Sequence, residues 1–295
     1  MLDLGRLRAL NAVATHGSIA RAAVALGYTA SAVSQQIAKL ERETRTDLLD
    51  RQAGRVALTP AGHVLAQAAA EVITVLERAE AELEEQRGMP RGELVLAAFP
   101  TACRGFVAAA IAELAGRYEG LECRLVEIDP NRALTLVVQG EADLAVVHDW
   151  HNAPLEMPSS LIGATIGEDL ADIALPGGHG LADREALTPA DLLGERWISQ
   201  GPGAMCHRWL LEAFAARATI AYQVEEYESQ LALLAAGVGV ALLPRLGRAA
   251  LPPGVRAVPL RPAPSRQVSA VWRRRSGQRP SIQAALKILR DHWPR

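Results

Sequence analysis

Two groups of residues in this chain have the types and spacing for chemistry on another molecule. The first is Ser31, Ser34, Gln35 and Lys39. On a helix these lie away from Val33, Ile37 and Leu40, which form one apolar stripe. Hydroxyls, a carboxamide and an ammonium suit base edges and phosphates. Arg51 and Arg55 flank an Ala-Gly turn a little further on and suit phosphate or a minor groove. The second group lies where predicted strands give way to predicted helices. It comprises Pro100-Thr101-Ala102, Asp129-Pro130-Asn131, His148-Asp149, Gln200-Gly201-Pro202-Gly203 and Tyr227 to Ser229. A hydroxyl, or an uncovered backbone N–H beside a glycine, can hold a small polar ligand at such a helix start, an anion above all. Each of these short stretches would also serve as a plain cap or turn.

Other patterns exclude chemistry. His148 and His151 are three apart, a spacing that can bind metal on a helix. Here it falls at a strand end, and no Cys or Glu pair completes a site, so no metal is expected. The chain has no G-x-S-x-G elbow, no phosphate-binding P-loop and no G-x-G-x-x-G after a strand. The glycines of Gly237-Val-Gly-Val-Ala-Leu-Leu-Pro244 sit inside a strand-like run. An enzyme is therefore not expected, nor a cofactor. Cys103, Cys123 and Cys206 lack metal-type spacing and read as reduced thiols. The alternative is a redox sensor, in which Cys206, beside His207 and Arg208, would be the reactive thiol.

The first group is positioned by the stretch from Gly17 to Glu41, which reads as two short helices around a tight turn. Ser18 is expected to N-cap the first, which carries Ile19, Ala22, Ala23 and Leu26 at helical spacing. Gly27 stops it. Thr29 or Ser31 caps the second. Before this pair, Leu4 to Thr15 forms a helix with Leu4, Leu7, Leu10 and Val13 or Ala14 inward. After it, residues 48–59 form a strand-turn-strand wing. Any small helical hairpin with a solvated polar face could show the same residues. The wing and the N-terminal position favour a helix-turn-helix, whose second helix enters the major groove.

The run from Leu4 to Gly62 resembles the DNA-binding domain of LysR-type transcriptional regulators. The resemblance rests on L-R-A-L at Leu7 to Leu10, GSIARAA at Gly17 to Ala23, SAVSQQIAKLE at Ser31 to Glu41, L-L-D-R at Leu48 to Arg51 and V-A-L-T-P-A-G at Val56 to Gly62. It implies a DNA-facing set of Ser18, Thr29, Ala30, Ser31, Ser34, Gln35, Lys39, Arg51 and Arg55. Leu10, Ile19 and Leu49 stand where the family usually has Phe, apolar exchanges that keep a core with different packing. An Arg is common at Gln35, and its absence removes one phosphate or guanine contact. The family usually has Gly near Arg45, so the recognition helix is expected to end differently here.

Charge supports this placement. Residues 1–60 hold eight Lys and Arg against five Asp and Glu, whereas residues 61–90 hold two against six, and the whole chain has a net charge of −2. With 295 residues and a hydrophobic fraction of 49%, a second unit of about 200 residues must follow. No stretch approaches the roughly 18 apolar residues of a membrane span. No basic segment followed by an apolar run begins the chain, so a cytoplasmic protein that does not engage a membrane is expected.

Thr59-Pro60 opens a long helix reaching about Arg87. Leu65, Ala69, Val72, Leu76, Ala79 and Leu83 repeat along it at a and d heptad positions, with Glu71, Glu77, Glu80, Glu82, Glu84 and Glu85 outside. A homodimer through residues 60–87 is expected, and a homotetramer beyond it. Gly88 and Pro90 end the rod.

From Glu93 onward strands alternate with helices, implying parallel β-α-β units in an α/β fold. Strands are expected at Glu93 to Phe99, Cys123 to Ile128, Ala142 to Val147, Asp169 to Leu175, Trp197 to Ser199, Ala221 to Glu225, Gly237 to Pro244 and Gln267 to Trp272. Helices are expected at Arg104 to Tyr118, Asn131 to Gln139, Pro189 to Leu193, Cys206 to Arg217, Ser229 to Ala236 and Pro280 to Trp293. GEADLAVV at Gly140 to Val147, HGLADREALTPADLLGERWIS at His179 to Ser199 and LLAAGVGVALLPR at Leu233 to Arg245 resemble the effector domain of the same family.

That resemblance implies a two-lobed periplasmic-binding-protein-like fold. One lobe comprises residues 91–163 and 266–295, the other 164–265. Between them a small-molecule effector would meet Pro100, Thr101, Ala102, Pro130, Asn131, His148, Gln200, Gly201, Pro202, Gly203 and Tyr227. The expected effector is an organic acid, although Asp129, Asp149 and Glu228 would favour an amine if they line the cleft. The function implied is sequence-specific binding of double-stranded DNA, modulated by that effector. The rivals are a thiol sensor of the same architecture and a free-standing solute-binding protein.

Overall fold

The computed structural model describes residues 2–26, 28–50, 57–87 and 89–294, in two compact units centred on residues 1–87 and 88–295. Gly27, Arg51, Arg55 and Gly88 lie outside the described residues, as do the side chains of Glu77, Glu80, Glu82, Glu84 and Glu85.

Caps set the helices of the first unit. Asp3 accepts the N–H of Arg6 at 3.1 Å and opens α1 (Leu4–His16). Ser18 accepts from Arg21 N–H at 3.2 Å as α2 (Ile19–Leu26) begins. Thr29, rather than Ser31, caps α3 (Ala30–Thr44) by accepting the N–H of Ala32 at 3.1 Å. The expected change at the far end of α3 does not occur. Arg45 itself takes the left-handed conformation that Gly would favour, with φ 49° and ψ 38°. The short wing strands β1 (Leu49–Asp50) and β2 (Ala57–Leu58) pair antiparallel. The Glu41 carboxylate of α3 accepts the N–H groups of Leu48 and Leu49 at 3.0 and 3.1 Å, tying the recognition helix to the wing base. Leu7, Leu10, Val13, Ala22, Val33, Ile37, Leu40 and Leu48 form one core.

Thr59 accepts the N–H of Gly62 at 3.0 Å and opens α4 (Pro60–Arg87). Its first turns belong to this core. Ala69 is buried there and Leu65 packs at its margin, so the first two positions of the expected seam face the chain itself. These turns pack on α1, and at Gly62 the helix comes so near Leu48 that a Cβ would collide with its carbonyl. Val72, Leu76, Ala79 and Leu83 further along α4 are exposed.

The second unit is built on β3 (Gly92–Ala98), β4 (Leu121–Glu127), β5 (Leu144–Trp150), β6 (Leu161–Pro176) and β11 (Ser265–Arg273). Two shorter strands, β9 (Ala241–Pro244) and β10 (Val255–Pro259), join them. The order is β10-β6-β11-β5-β3-β4, with β9 also on β6. The change of partner along β6 makes two lobes. Residues 161–170 pair with β11, whereas residues 171–176 pair with β9 and β10.

In the first lobe Leu94, Leu96 and Ala98 of β3 face the helices α6 (Ala108–Arg117) and α10 (Pro280–Asp291). The alternate residues Val95 and Ala97 face α7 (Pro130–Gln139). That two-residue alternation buries both faces of the strand. The second lobe adds the parallel pair β7 (Arg196–Ser199) and β8 (Thr219–Gln223), with α8 (Met205–Ala213) and α9 (Tyr227–Ala235).

Four local expectations are corrected. The helix placed at Arg104 starts earlier, as α5 (Pro100–Ala102), and runs through a π-type turn at Cys103–Val107 into α6. Pro100 at its first position suits that start. β5 extends to Trp150, so His148 and Asp149 lie within it rather than beyond it. The glycine-led run is a strand only from Ala241, because Gly237, with φ 78°, closes α9. Strand β10 was not foreseen, since five residues ending in Pro259 offer little periodicity.

Arg45 in the left-handed region carries a strain of about 1 kcal/mol. Arg45→Gly relieves it at the cost of a freer unfolded chain. The expected result is a winged-helix unfolding transition stabilised by no more than about 0.5 kcal/mol. Urea denaturation followed by circular dichroism measures it.

Candidate functional site

On α3 the polar set stands as the spacing implies. Ser31, Gln35 and Lys39 are exposed and Ser34 is half-buried, while Val33, Ile37 and Leu40 are fully buried. Thr29 and Ala30 are exposed at the helix start. The hydroxyls of Ser18 and Thr29 are engaged as caps, so each first serves its helix. Tyr28, beside the start of α3, is 60% exposed and was not singled out in the sequence.

The second unit contains a cleft of about 1210 Å³ between its lobes. Of the expected residues, Pro100, Thr101, Pro130, Asn131, His148, Gln200, Gly201, Pro202, Gly203 and Tyr227 line it. Ala102 does not, because it turns into the core beneath α6. From one lobe Thr101 stands in the first turn of α5, with Arg104 one turn on. Asn131 at the start of α7 donates through its side chain to Gly203 O of the opposite lobe at 3.2 Å. Arg104 crosses to the same lobe, its guanidinium carbon 4.5 Å from the centre of the Tyr227 ring. These contacts close two sides of the cleft.

The glycine loop is less open than its sequence implies. Gly201 N–H donates to the Glu225 carboxylate at 3.1 Å and is not uncovered. Gly203 holds a φ of 97°, a backbone shape that its lack of a Cβ permits. Asp129 lines the cleft and accepts from the backbone N–H of Asn131 at 3.0 Å. Burial raises its pKa, opposed by these hydrogen bonds. Burial also raises the Tyr227 phenol.

The floor holds Arg266, which sequence reasoning did not single out. It is 1% exposed, on β11, and donates to Asp169 Oδ2 at 2.8 Å and to Thr101 Oγ1 at 2.7 Å. A signal existed. Arg266 is in phase with Val268, Ala270 and Trp272, the buried face of the strand. His148 lies beside it, 4% exposed, edge-on to Phe99 at 4.5 Å. Burial, aided by the positive charge of Arg266, pushes the imidazole well below its ordinary range, so it is neutral at pH 7. His151 is exposed beyond the end of β5 and faces Glu168, so the two histidines do not converge. Among the described residues no group of three or more His, Cys, Asp and Glu could hold a metal.

Burial pushes the Cys103 thiol up to about 12 and raises Cys123 and Cys206 as well. All three stay protonated at neutral pH, the less reactive form.

A winged helix-turn-helix and a two-lobed α/β unit with a cleft between its lobes, on one chain, define a ligand-binding class of DNA-binding protein. Residues 4–63 match the bacterial regulatory helix-turn-helix protein, lysR family, and residues 87–294 match the LysR substrate binding domain. The chain belongs to the LysR family of transcriptional regulators. A probable RuBisCO transcriptional regulator of Cyanophora paradoxa is 31% identical over 197 residues, covering 67% of this chain and 60% of that protein. A second protein so named, from Synechocystis, is 30% identical over 66% of this chain and 56% of its own length. The match thus spans less than two thirds of either relative. The probable HTH-type transcriptional regulator LrrA of Synechococcus elongatus is 27% identical over 99% of this chain and 98% of its own length. A full-length OxyR variant from Pseudomonas aeruginosa superposes with a TM-score of 0.70 at 20% identity, covering 98% of this chain and 95% of that one. Full-length CbnR complexed with its target DNA gives 0.59 at 18% identity, covering 99% and 100%. Both are likenesses of fold. Among the described residues no helix is long and apolar enough to cross a membrane.

The state of His148 generates a prediction. Its folded pKa is depressed, so the folded protein resists a proton that the unfolded chain accepts below about pH 6.5. Stability is therefore lost as pH falls from about 6.5, by up to about 1.4 kcal/mol per pH unit for one proton. His148→Phe removes that component. Urea unfolding from pH 7 to pH 5 is expected to show a shallower decline in the variant than in the parent.

Proposed function

We propose that this protein is a dimeric, sequence-specific DNA-binding regulator, not an enzyme, whose mode of DNA binding responds to a small organic acid in the cleft. The observation that carries the DNA half is the outward polar face of α3. Ser31, Gln35 and Lys39 project from a helix whose opposite side is anchored by fully buried Val33, Ile37 and Leu40. A helix so fixed can enter the major groove without rearranging its core. In this reading Ser18, Thr29, Ala30 and Ser34 complete the contact set, with Arg51 and Arg55 at the wing. The cleft supports the ligand half, since its volume suits a small molecule and its lining sets a few polar groups among apolar ones.

The dimer rests on α4. Val72, Leu76, Ala79 and Leu83 are spaced four, three and four apart, and all are exposed. Such a narrow apolar stripe is covered by a second copy of the same helix. Two recognition helices would then meet two half-sites. A ligand that shifts the lobes would change how dimers pair into a tetramer, and so how the DNA bends. Raised thiol pKa values weigh against the redox reading, and the winged helix against a free-standing solute-binding protein.

Binding sites selected from random duplex DNA test the first half. Gln35→Ala is expected to weaken binding to the selected site by about 1–3 kcal/mol while leaving non-specific binding unchanged. Equal affinity in parent and variant removes Gln35 from the interface. Leu76→Asp places a charge in the apolar stripe and is expected to sediment as a monomer at micromolar concentration. A dimer under those conditions contradicts the seam.

A further inference from the structure

A row of three residues runs beneath the cleft, and Arg266 is the one that reaches it. Arg266 of β11 is directly opposite Asp169 of β6 on one side and Trp150 of β5 on the other. Its guanidinium carbon lies 5.0 Å from the Phe99 ring centre and 5.4 Å from that of Trp150. The side chain is 1% exposed, yet it lines the cavity. Nε and Nη2 are engaged, by Asp169 and Thr101. Nη1 has no hydrogen-bond partner among the described residues. Thr101 Oγ1 accepts from Nη2, which leaves its own proton to donate. Nδ1 of His148, on the same wall, is buried and likewise unpartnered among the described residues.

We propose that Arg266 is the specificity-determining residue of the cleft, its Nη1 and the Thr101 hydroxyl together receiving the carboxylate of a small organic acid. This rests on the reading of the cleft as the effector site and names the group that reads the ligand.

Two adjacent donors, one of them charged, match the two acceptor oxygens of a planar carboxylate. An amide offers one oxygen and would turn its NH2 toward a donor. An ammonium offers no acceptor at all. Asp169 already neutralises Arg266, so recognition comes from directed hydrogen bonds more than from net charge. Five acids line the cleft, Glu127, Asp129, Glu225, Glu226 and Glu228, and Arg104, Arg132 and Arg208 line it beside them. Asp129 is engaged by Asn131 and Glu225 by the N–H of Gly201, so the directed donors of Arg266 and Thr101, rather than the net charge of the cleft, carry the preference. Phe99 and Trp150 flank the guanidinium and hold its plane. The same guanidinium is tied to the lobe crossover. Asp169 accepts the N–H of Leu246, just beyond β9, at 2.8 Å, so a ligand that draws on Arg266 also pulls on that junction.

The test uses the full chain and matched probes: acetate, propionate and benzoate against acetamide, propionamide and benzamide, at equal ionic strength. Thermal unfolding is the readout, with a gel shift on the selected DNA alongside. The acids are expected to raise the midpoint of the parent and the amides not. Arg266→Lys is expected to weaken the response to acids at least tenfold. The double variant Arg266→Met with Asp169→Leu removes the pair together, leaves no lone buried carboxylate, and is expected to fold but lose the response. An equal acid response in the double variant, an equal response to amides, or no response of the parent to any acid overturns the proposal. Parent protein that ignores the acids but still binds the selected DNA overturns this proposal alone. Failure to select any DNA overturns the regulator reading instead.

Discussion

The ion pair between Arg266 and Asp169 is the constraint on which the second unit depends. Both partners are buried, Asp169 on β6, which passes between the lobes, and Arg266 directly opposite it on β11. Desolvating two charges is costly, and removing one partner of such a pair costs about 3–5 kcal/mol. The structure offsets the burial with further bonds. Asp169 takes a backbone N–H from Leu246, and Arg266 reaches Thr101 and lies between two aromatic rings. An apolar pair could fill the same volume at less cost. What the charges add is a fixed donor on the floor of a cleft, with its geometry set by strand register rather than by a loop.

The rest of that cleft is placed by the same kind of constraint. Thr101 is presented by a helix whose start is set by Pro100, and Asn131 by a helix opened at Pro130. Asn131 and Arg104 reach the opposite lobe by a hydrogen bond and a ring contact, each weak alone. Interactions of that size hold two lobes together without locking them, which suits an element that a ligand biases. Asp172 on β6 is held by Arg245 and Arg248 from beyond β9, so the second lobe is fastened to the crossover strand by charge as well as by the ladder.

Much of this was legible in the residues. The winged helix was, because Ser18, Thr29 and Thr59 are caps whose partners lie within three residues, and local bonds are written in local sequence. The strand-helix alternation after Glu93 was legible for the same reason. What failed depended on distant partners. Ala69 fits a heptad seam, and only its packing with distant Leu7, Leu10 and Val13 of α1 turns that part of α4 into the core of its own unit. The N–H of Gly201 looked free, and Glu225, which covers it, is 24 residues away. Arg45 could be expected to alter the end of α3, yet the Glu41 bonds to the wing hold the chain in the left-handed turn at a small cost. Arg266 was hidden by its type, since a charged residue at a strand start reads as solvent-facing until Asp169 is seen opposite.

In the proposed reading a DNA-reading helix and an acid-reading cleft share one chain. Nuclease footprinting of the full-length protein on the DNA flanking its own gene, with and without a panel of small carboxylic acids, tests that union most directly. Protection of two related half-sites is expected, with a change in the extent of protection by at least one acid. Protection that no acid alters, or no discrete protection at all, would contradict it.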